Sequence, residues 1–168
     1  MVRICLYAMD DCESGPFAEW RKDYNEIKMM KFSPNGECVL LATSDNSIVL
    51  LDAFKGTELF KFTTFLNESS IIECSFTPDS NYIISGSENG LVHVWSNCEG
   101  EIGREVARLA SHVEKVSYVK FSPTLCLLAS AGRNLTLWLS DPRAWIIHYS
   151  SYSHTIYSSA IYLAIFCS

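Results

Sequence analysis

Phe76-Thr-Pro-Asp-Ser-Asn-Tyr-Ile-Ile-Ser-Gly-Ser-Glu-Asn-Gly-Leu-Val-His-Val-Trp-Ser96 decides the fold, because it reads as turn, strand, turn, strand. Tyr82 to Ser87 is rich in β-branched and aromatic residues, Glu88-Asn89-Gly90 supplies the positive-φ positions of a tight hairpin, and Leu91 to Trp95 runs back. Thr77-Pro78-Asp79-Ser80 marks the turn before the pair, and Ile71 to Phe76 supplies a strand ahead of it. The same pattern occurs three times. Phe32-Ser-Pro, Phe76-Thr-Pro and Phe121-Ser-Pro are spaced by 44 (76 − 32) and 45 (121 − 76) residues. A period of about 40 to 45 residues with four strands in each unit belongs to a propeller blade. In the first copy Cys38 to Thr43 and Ile48 to Asp52 form the hairpin; in the third, Leu127 to Ala131 and Leu135 to Trp138 do so, with a turn two residues shorter at Arg133-Asn134.

Composition narrows what such a chain can do. Of 168 residues, 48% are apolar and 19% charged, which describes a globular chain able to bury a core. The formal charge is −6 and the 13 basic residues are scattered. Gripping a phosphate backbone needs clustered Lys and Arg, so direct nucleic-acid binding is not expected. The seven cysteines show no metal-like spacing. Cys38, Cys74 and Cys126, in or beside apolar strands, read as small buried hydrophobes in a reducing compartment, with neither a disulfide framework nor a metal site. The opening Met1 to Ala8 is too short an apolar run for a secretory signal and reads as a strand.

With the repeat in hand, Leu51-Asp52 and Trp95-Ser96 resemble degenerate forms of the Trp-Asp dipeptide of the WD-repeat propellers, and Ser111-His112 resembles their Gly-His dipeptide. The likeness is closer to one subfamily. Gly15-Pro-Phe17, Asp52-Ala-Phe-Lys-Gly56, Ser75 to Ser80, Gly86 to Gly90, Val92 to Trp95 and Trp138-Leu139 resemble the WD-repeat subunit of COMPASS-type histone lysine methyltransferase complexes. That subunit also occurs in nuclear phosphatase and mRNA 3′-end processing assemblies. The resemblance covers roughly residues 2 to 141 and is most specific at Asp52 to Gly56 and Phe76 to Trp95. It implies an all-β WD-repeat β-propeller, and the repeat count makes this one partial, about three four-stranded antiparallel blades with the ring not closed, where the family has a full ring. It also implies a nuclear, non-enzymatic scaffold without cofactor, whose partners are proteins such as methyltransferase or phosphatase subunits. A substrate receptor of a ubiquitin ligase is the rival binding role, and neither a small-molecule substrate nor a membrane is expected.

Read in order, residues 1–25 form the end of a truncated blade and a connecting loop, 26–141 the WD-repeat blades, and 142–168 a Ser- and Tyr-rich hydrophobic tail outside the family likeness. About three blades fall short of the 4 to 8 of a closed propeller, and the expectation is a truncated form of a longer ring. The tail has no charge after Arg143, but its serines, histidines and tyrosines dilute it below what a spanning helix needs.

Two groups of residues invite a functional reading. His112, Ser130 and Trp138 contain a base and a hydroxyl, yet no Gly-x-Ser-x-Gly elbow accompanies them. By the family likeness they are blade residues that hydrogen-bond inside a sheet, with Trp95 in the matching place one blade earlier and Arg133-Asn134 where the family has a turn Asp. His93 reads as a half-buried packing residue, since no second His or Cys lies at metal spacing. Phe17, Trp20, Phe54 and Phe65 fall in loops or outer strands, where aromatic side chains anchor binding surfaces. Phe54 and Lys55, in the loop most like the subfamily, are the first candidates for partner contact, followed by Phe17 and Trp20. Packing between adjacent blades is the competing use for all four aromatics.

Overall fold

The structure is a computed structural model in which residues 1–45, 47–63, 73–110 and 112–139 are described. Every regular element among them is a β-strand. Strands β1 (Val2–Leu6) and β2 (Ala18–Lys22) pair as sheet I. Strands β3 (Ile27–Phe32), β4 (Cys38–Thr43), β5 (Ser47–Asp52) and β6 (Glu58–Thr63) form sheet II. Sheet III is β7 (Cys74–Phe76), β8 (Tyr82–Ser85), β9 (Leu91–Ser96) and β10 (Glu105–Ala110), and sheet IV is β11 (Tyr118–Phe121), β12 (Leu127–Ala131) and β13 (Leu135–Leu139). Each sheet is an antiparallel meander in chain order, so every pairing is made by a local turn.

The sheets stack because their strands are apolar on both faces. Along β4, Leu40 and Ala42 point to one side and Leu41 to the other, and all three are buried. Leu41, Val49 and Leu51 meet Val2, Ile4 and Tyr24, which joins sheet II to sheet I. The opposite face of sheet II, with Leu40, Ile48 and Leu50, meets Cys74, Phe76, Ile83 and Trp95 of sheet III. Sheet III turns Ile84, Val92, Val94 and Leu109 toward Val119, Phe121, Leu128 and Trp138 of sheet IV. These three layers are the core. With about 1.5–3 kcal/mol for each fully buried aliphatic side chain, they dominate the stability.

At the end of the stack the pattern changes. Tyr118, Leu135, Leu137 and Leu139 lie on the outward side of sheet IV and are exposed. By register, Leu135 and Leu137 occupy the places that Val92 and Val94 fill in sheet III, where both are fully buried. The ring of sheets is therefore not closed.

The Phe-Ser/Thr-Pro triplets earn their recurrence at the β3–β4, β7–β8 and β11–β12 turns, where their hydroxyls close the chain reversal. Ser33 Oγ accepts the Cys38 N–H at 2.9 Å, Thr77 Oγ1 accepts the Tyr82 N–H at 3.1 Å, and Ser122 Oγ accepts the Leu125 N–H at 3.1 Å. Ser80 stands at a left-handed φ of 65°, the place taken by Gly36 in the first copy. A side chain is retained there because Ser80 Oγ accepts the Asn35 N–H at 3.0 Å, which ties the turns of sheets II and III together.

Cys38 and Cys74 are buried free thiols, as the apolar reading requires, and Cys5, Cys12 and Cys98 are free as well. Cys126 is half-buried and packs against the layer between sheets III and IV. Most strand limits coincide with the sequence reading, and several others, such as Ser85 for Ser87 and Ser96 for Trp95, differ by one or two residues. Ile71-Ile72, Phe65 and Ser111, and the tail from residue 140, lie outside the described residues.

Candidate functional site

His112, Ser130 and Trp138 come together between sheets III and IV. His112 follows β10, Ser130 sits on β12, and Trp138 on β13 is two residues past the Thr136 that faces Ser130. The His112 Nε2 is 2.8 Å from Ser130 Oγ, and the Trp138 indole N–H donates to the same Oγ at 2.8 Å. With one lone pair taken by the indole, the Ser130 O–H is left to donate to the neutral imidazole. Ser130 is 0% exposed and Trp138 3%. A serine sealed in this way and already accepting an indole N–H has no approach for a substrate carbonyl, so the arrangement acts as a clasp rather than a nucleophile and base.

Burial holds the His112 imidazole below its ordinary pKa of 6.5. As pH falls, the unfolded chain takes the proton first. The His112 contribution to stability is therefore complete above about 6.5 and is lost as pH drops through that value toward the lower folded pKa. We expect the thermal midpoint of the wild-type chain to fall more between pH 7.5 and 5.5 than that of His112→Gln. Parallel slopes for the two proteins would contradict this.

Trp95, the matching residue one sheet earlier, is used differently. Its ring stacks on Phe62 of sheet II at 4.3 Å and lies 5.5 Å from the His93 ring. His93 is buried, and its Nδ1 is 2.5 Å from Glu105 Oε1. Arg108 holds the Glu105 carboxyl below the usual carboxylate range, with His93 adding to it, and the Arg108 guanidinium contacts both carboxylate oxygens at 2.9 and 2.6 Å. In sheet II the corresponding places are Leu41 and Leu51, so no clasp of this kind exists there.

The second candidate group lies on the loop face. Asp52-Ala-Phe-Lys-Gly56 links β5 to β6, and Asp52 Oδ1 accepts the backbone N–H of Phe54 at 2.9 Å and of Lys55 at 2.8 Å. These bonds hold the Asp52 carboxyl below its ordinary pKa and fix the turn. Gly56 closes it at φ 63°, and a Cβ there would lie 2.2 Å from the Trp20 ring. The loop is thus pinned at both ends while Phe54 stays 71% exposed and Lys55 extends over Asp52 at 3.8 Å. Phe17 is also exposed, but on the loop before β2. Trp20 behaves differently from the exposed contact expected of it: it is half-buried, with its ring occupied by Gly56.

Beside Phe54 a cleft of about 590 Å³ opens between sheets II and III, lined by residues of four loops including Glu37, Asp52, Phe54, Lys55, Asn97 and Glu99. Sequence reasoning named Phe54 and Lys55 but neither Glu37 nor Glu99. Their only signal is a place in β3–β4 and β9–β10 turns that the 44-residue period brings to one side. Among the described residues no group of His, Cys, Asp and Glu is arranged to hold a metal ion.

Comparison with known proteins fits this geometry. Residues 58–96, which run from β6 through β9, match the WD domain, G-beta repeat. The chain is 38% identical over 141 residues to WD repeat-containing protein 82 of Drosophila melanogaster, which covers 81% of this chain and 44% of that protein. It is 36% identical over 131 residues to Protein ANTHESIS POMOTING FACTOR 1 of Arabidopsis thaliana, covering 77% and 39%. The chain spans less than half the length of either relative. In fold it is similar to the crystal structure of RRP9 WD40 repeats, with a TM-score of 0.58 at 20% identity over 70% of this chain and 36% of that one. Its stacked meanders are accordingly blades of a β-propeller whose ring is not closed, and the chain is similar to WD-repeat proteins over most of its length.

Proposed function

We propose that this chain is a non-enzymatic scaffold subunit of a nuclear, COMPASS-like complex that methylates histone lysines. The observation that carries the reading is the Asp52–Gly56 loop. It is the loop most similar to the subfamily, and its hydrogen bonds present Phe54 and Lys55 to solvent on a rigid turn. Identity of 38% to a WD repeat-containing relative across most of the chain supports the same assignment. The mechanism is display: stacked sheets set loop positions before any partner arrives, so little ordering entropy opposes association. The sealed Ser130 hydroxyl supports a structural rather than catalytic use of His112 and Ser130. On this reading residues 1–25 end one blade, 26–141 hold the partner-binding blades, and 142–168 stand outside the scaffold. Affinity capture of the tagged full chain from nuclear extract, read by quantitative mass spectrometry, is expected to enrich histone lysine methyltransferase subunits. Enrichment of phosphatase, 3′-end processing or ubiquitin-ligase subunits with no methyltransferase subunit would overturn it.

A further inference from the structure

The cleft between sheets II and III has a definite chemistry. Its floor is rigid, because Asn97 Nδ2 donates to Ser80 O at 2.8 Å, the Asn97 N–H donates to Asn81 O at 2.7 Å, and Ser80 Oγ accepts from Asn35. One wall is apolar, formed by Phe54, Leu59 and Ile102. Around it stand three carboxylates from three different loops, Glu37, Asp52 and Glu99, against the single ammonium of Lys55. That ammonium already leans on Asp52. The remaining negative potential repels phosphates and favours a cation. An exposed phenyl ring beside carboxylates suits a planar guanidinium better than a compact ammonium, since guanidinium stacks on aromatic faces and forks to carboxylates. The volume exceeds one side chain and leaves room for an apolar neighbour on Leu59 and Ile102.

We infer that this cleft binds an extended protein segment in which an arginine stands next to an aliphatic residue. The arginine lies over Phe54 and reaches Glu37 and Glu99, and the aliphatic side chain covers the apolar wall. The inference rests on the scaffold reading, for which it names the kind of partner segment taken at the Phe54 loop.

The test is fluorescence anisotropy of the full chain with a fluorescein-labelled peptide, Ser-Gly-Arg-Leu-Gly-Ser. Saturable binding is expected, weakened about tenfold or more when the peptide arginine is replaced by glutamate or its leucine by serine. Phe54→Ala should weaken it about fivefold or more, and Glu37→Gln with Glu99→Gln about tenfold, more at low salt than at high. All three positions are exposed, so unchanged thermal midpoints are expected to accompany these losses. The inference is overturned by absence of binding up to about 1 mM, by equal affinity for the glutamate peptide, by equal affinity for arginine amide alone, or by indifference to Phe54→Ala. A negative peptide result with methyltransferase subunits still captured removes the cleft and leaves the scaffold reading. Peptide binding without that capture does the reverse.

Discussion

Gly86→Ala is expected to destabilise the chain by about 3 kcal/mol or more, read as a shift in urea midpoint at constant m-value. A Cβ on Gly86 would lie 2.2 Å from the Val116 carbonyl oxygen and 2.9 Å from its carbon. Neither atom can retreat. The Val116 N–H donates to Ser87 O at 2.9 Å, and its side chain is wholly buried in the layer between sheets III and IV. Gly86 is not at a positive φ. Where alanine can adopt the native backbone, a Gly→Ala change ordinarily stabilises by about 0.4–1 kcal/mol through the unfolded chain, so even the sign of the effect tests the close approach. A neutral or stabilised variant would show that the two backbones are farther apart.

Ser130→Ala is the second large effect, about 2 to 4 kcal/mol. One small hydroxyl serves both the Trp138 indole and the His112 imidazole, and its loss strands a buried N–H and a partly buried ring nitrogen together. The volume removed is a single oxygen, so almost none of the loss comes from packing. Chemical denaturation gives the total, and Trp138→Phe in the Ser130→Ala background separates the indole share by a double-mutant cycle. If Ser130→Ala is within about 0.5 kcal/mol of wild type, the hydroxyl does not hold the clasp.

These two residues show which parts of the molecule could be read in advance. Strand β4 is legible over Cys38–Thr43 because a run of apolar and β-branched residues between turn signals admits few other forms. Ser130, His112 and Trp138 are legible as a group only through the family resemblance, because neither of the other two copies carries the same trio. Gly86 and Gly90 are legible only as hairpin punctuation. A Cβ on Gly90 would lie 2.4 Å from the His112 carbonyl oxygen, so both glycines admit the backbone of residues 112–116. That closeness depends on how two sheets stack, which no local pattern encodes. Trp20 is the same case in reverse: an aromatic on an outer strand looks available for contact until sheet I sets its ring against Gly56. The cleft beside Phe54 is illegible for a further reason. Glu37 and Glu99 are unremarkable turn residues until four loops meet.

Each layer joins faces contributed by consecutive sheets, and this has a consequence for synthesis. A ribosome makes about 5–20 residues per second, so a repeat of 44 or 45 residues takes roughly 2 to 9 s. For that interval the leading face of a newly paired meander, such as the one carrying Ile84, Val92 and Val94, has no successor to cover it. The nascent polypeptide therefore carries a travelling sticky front, and chaperones that hold hydrophobic surface have a recurring substrate once per blade.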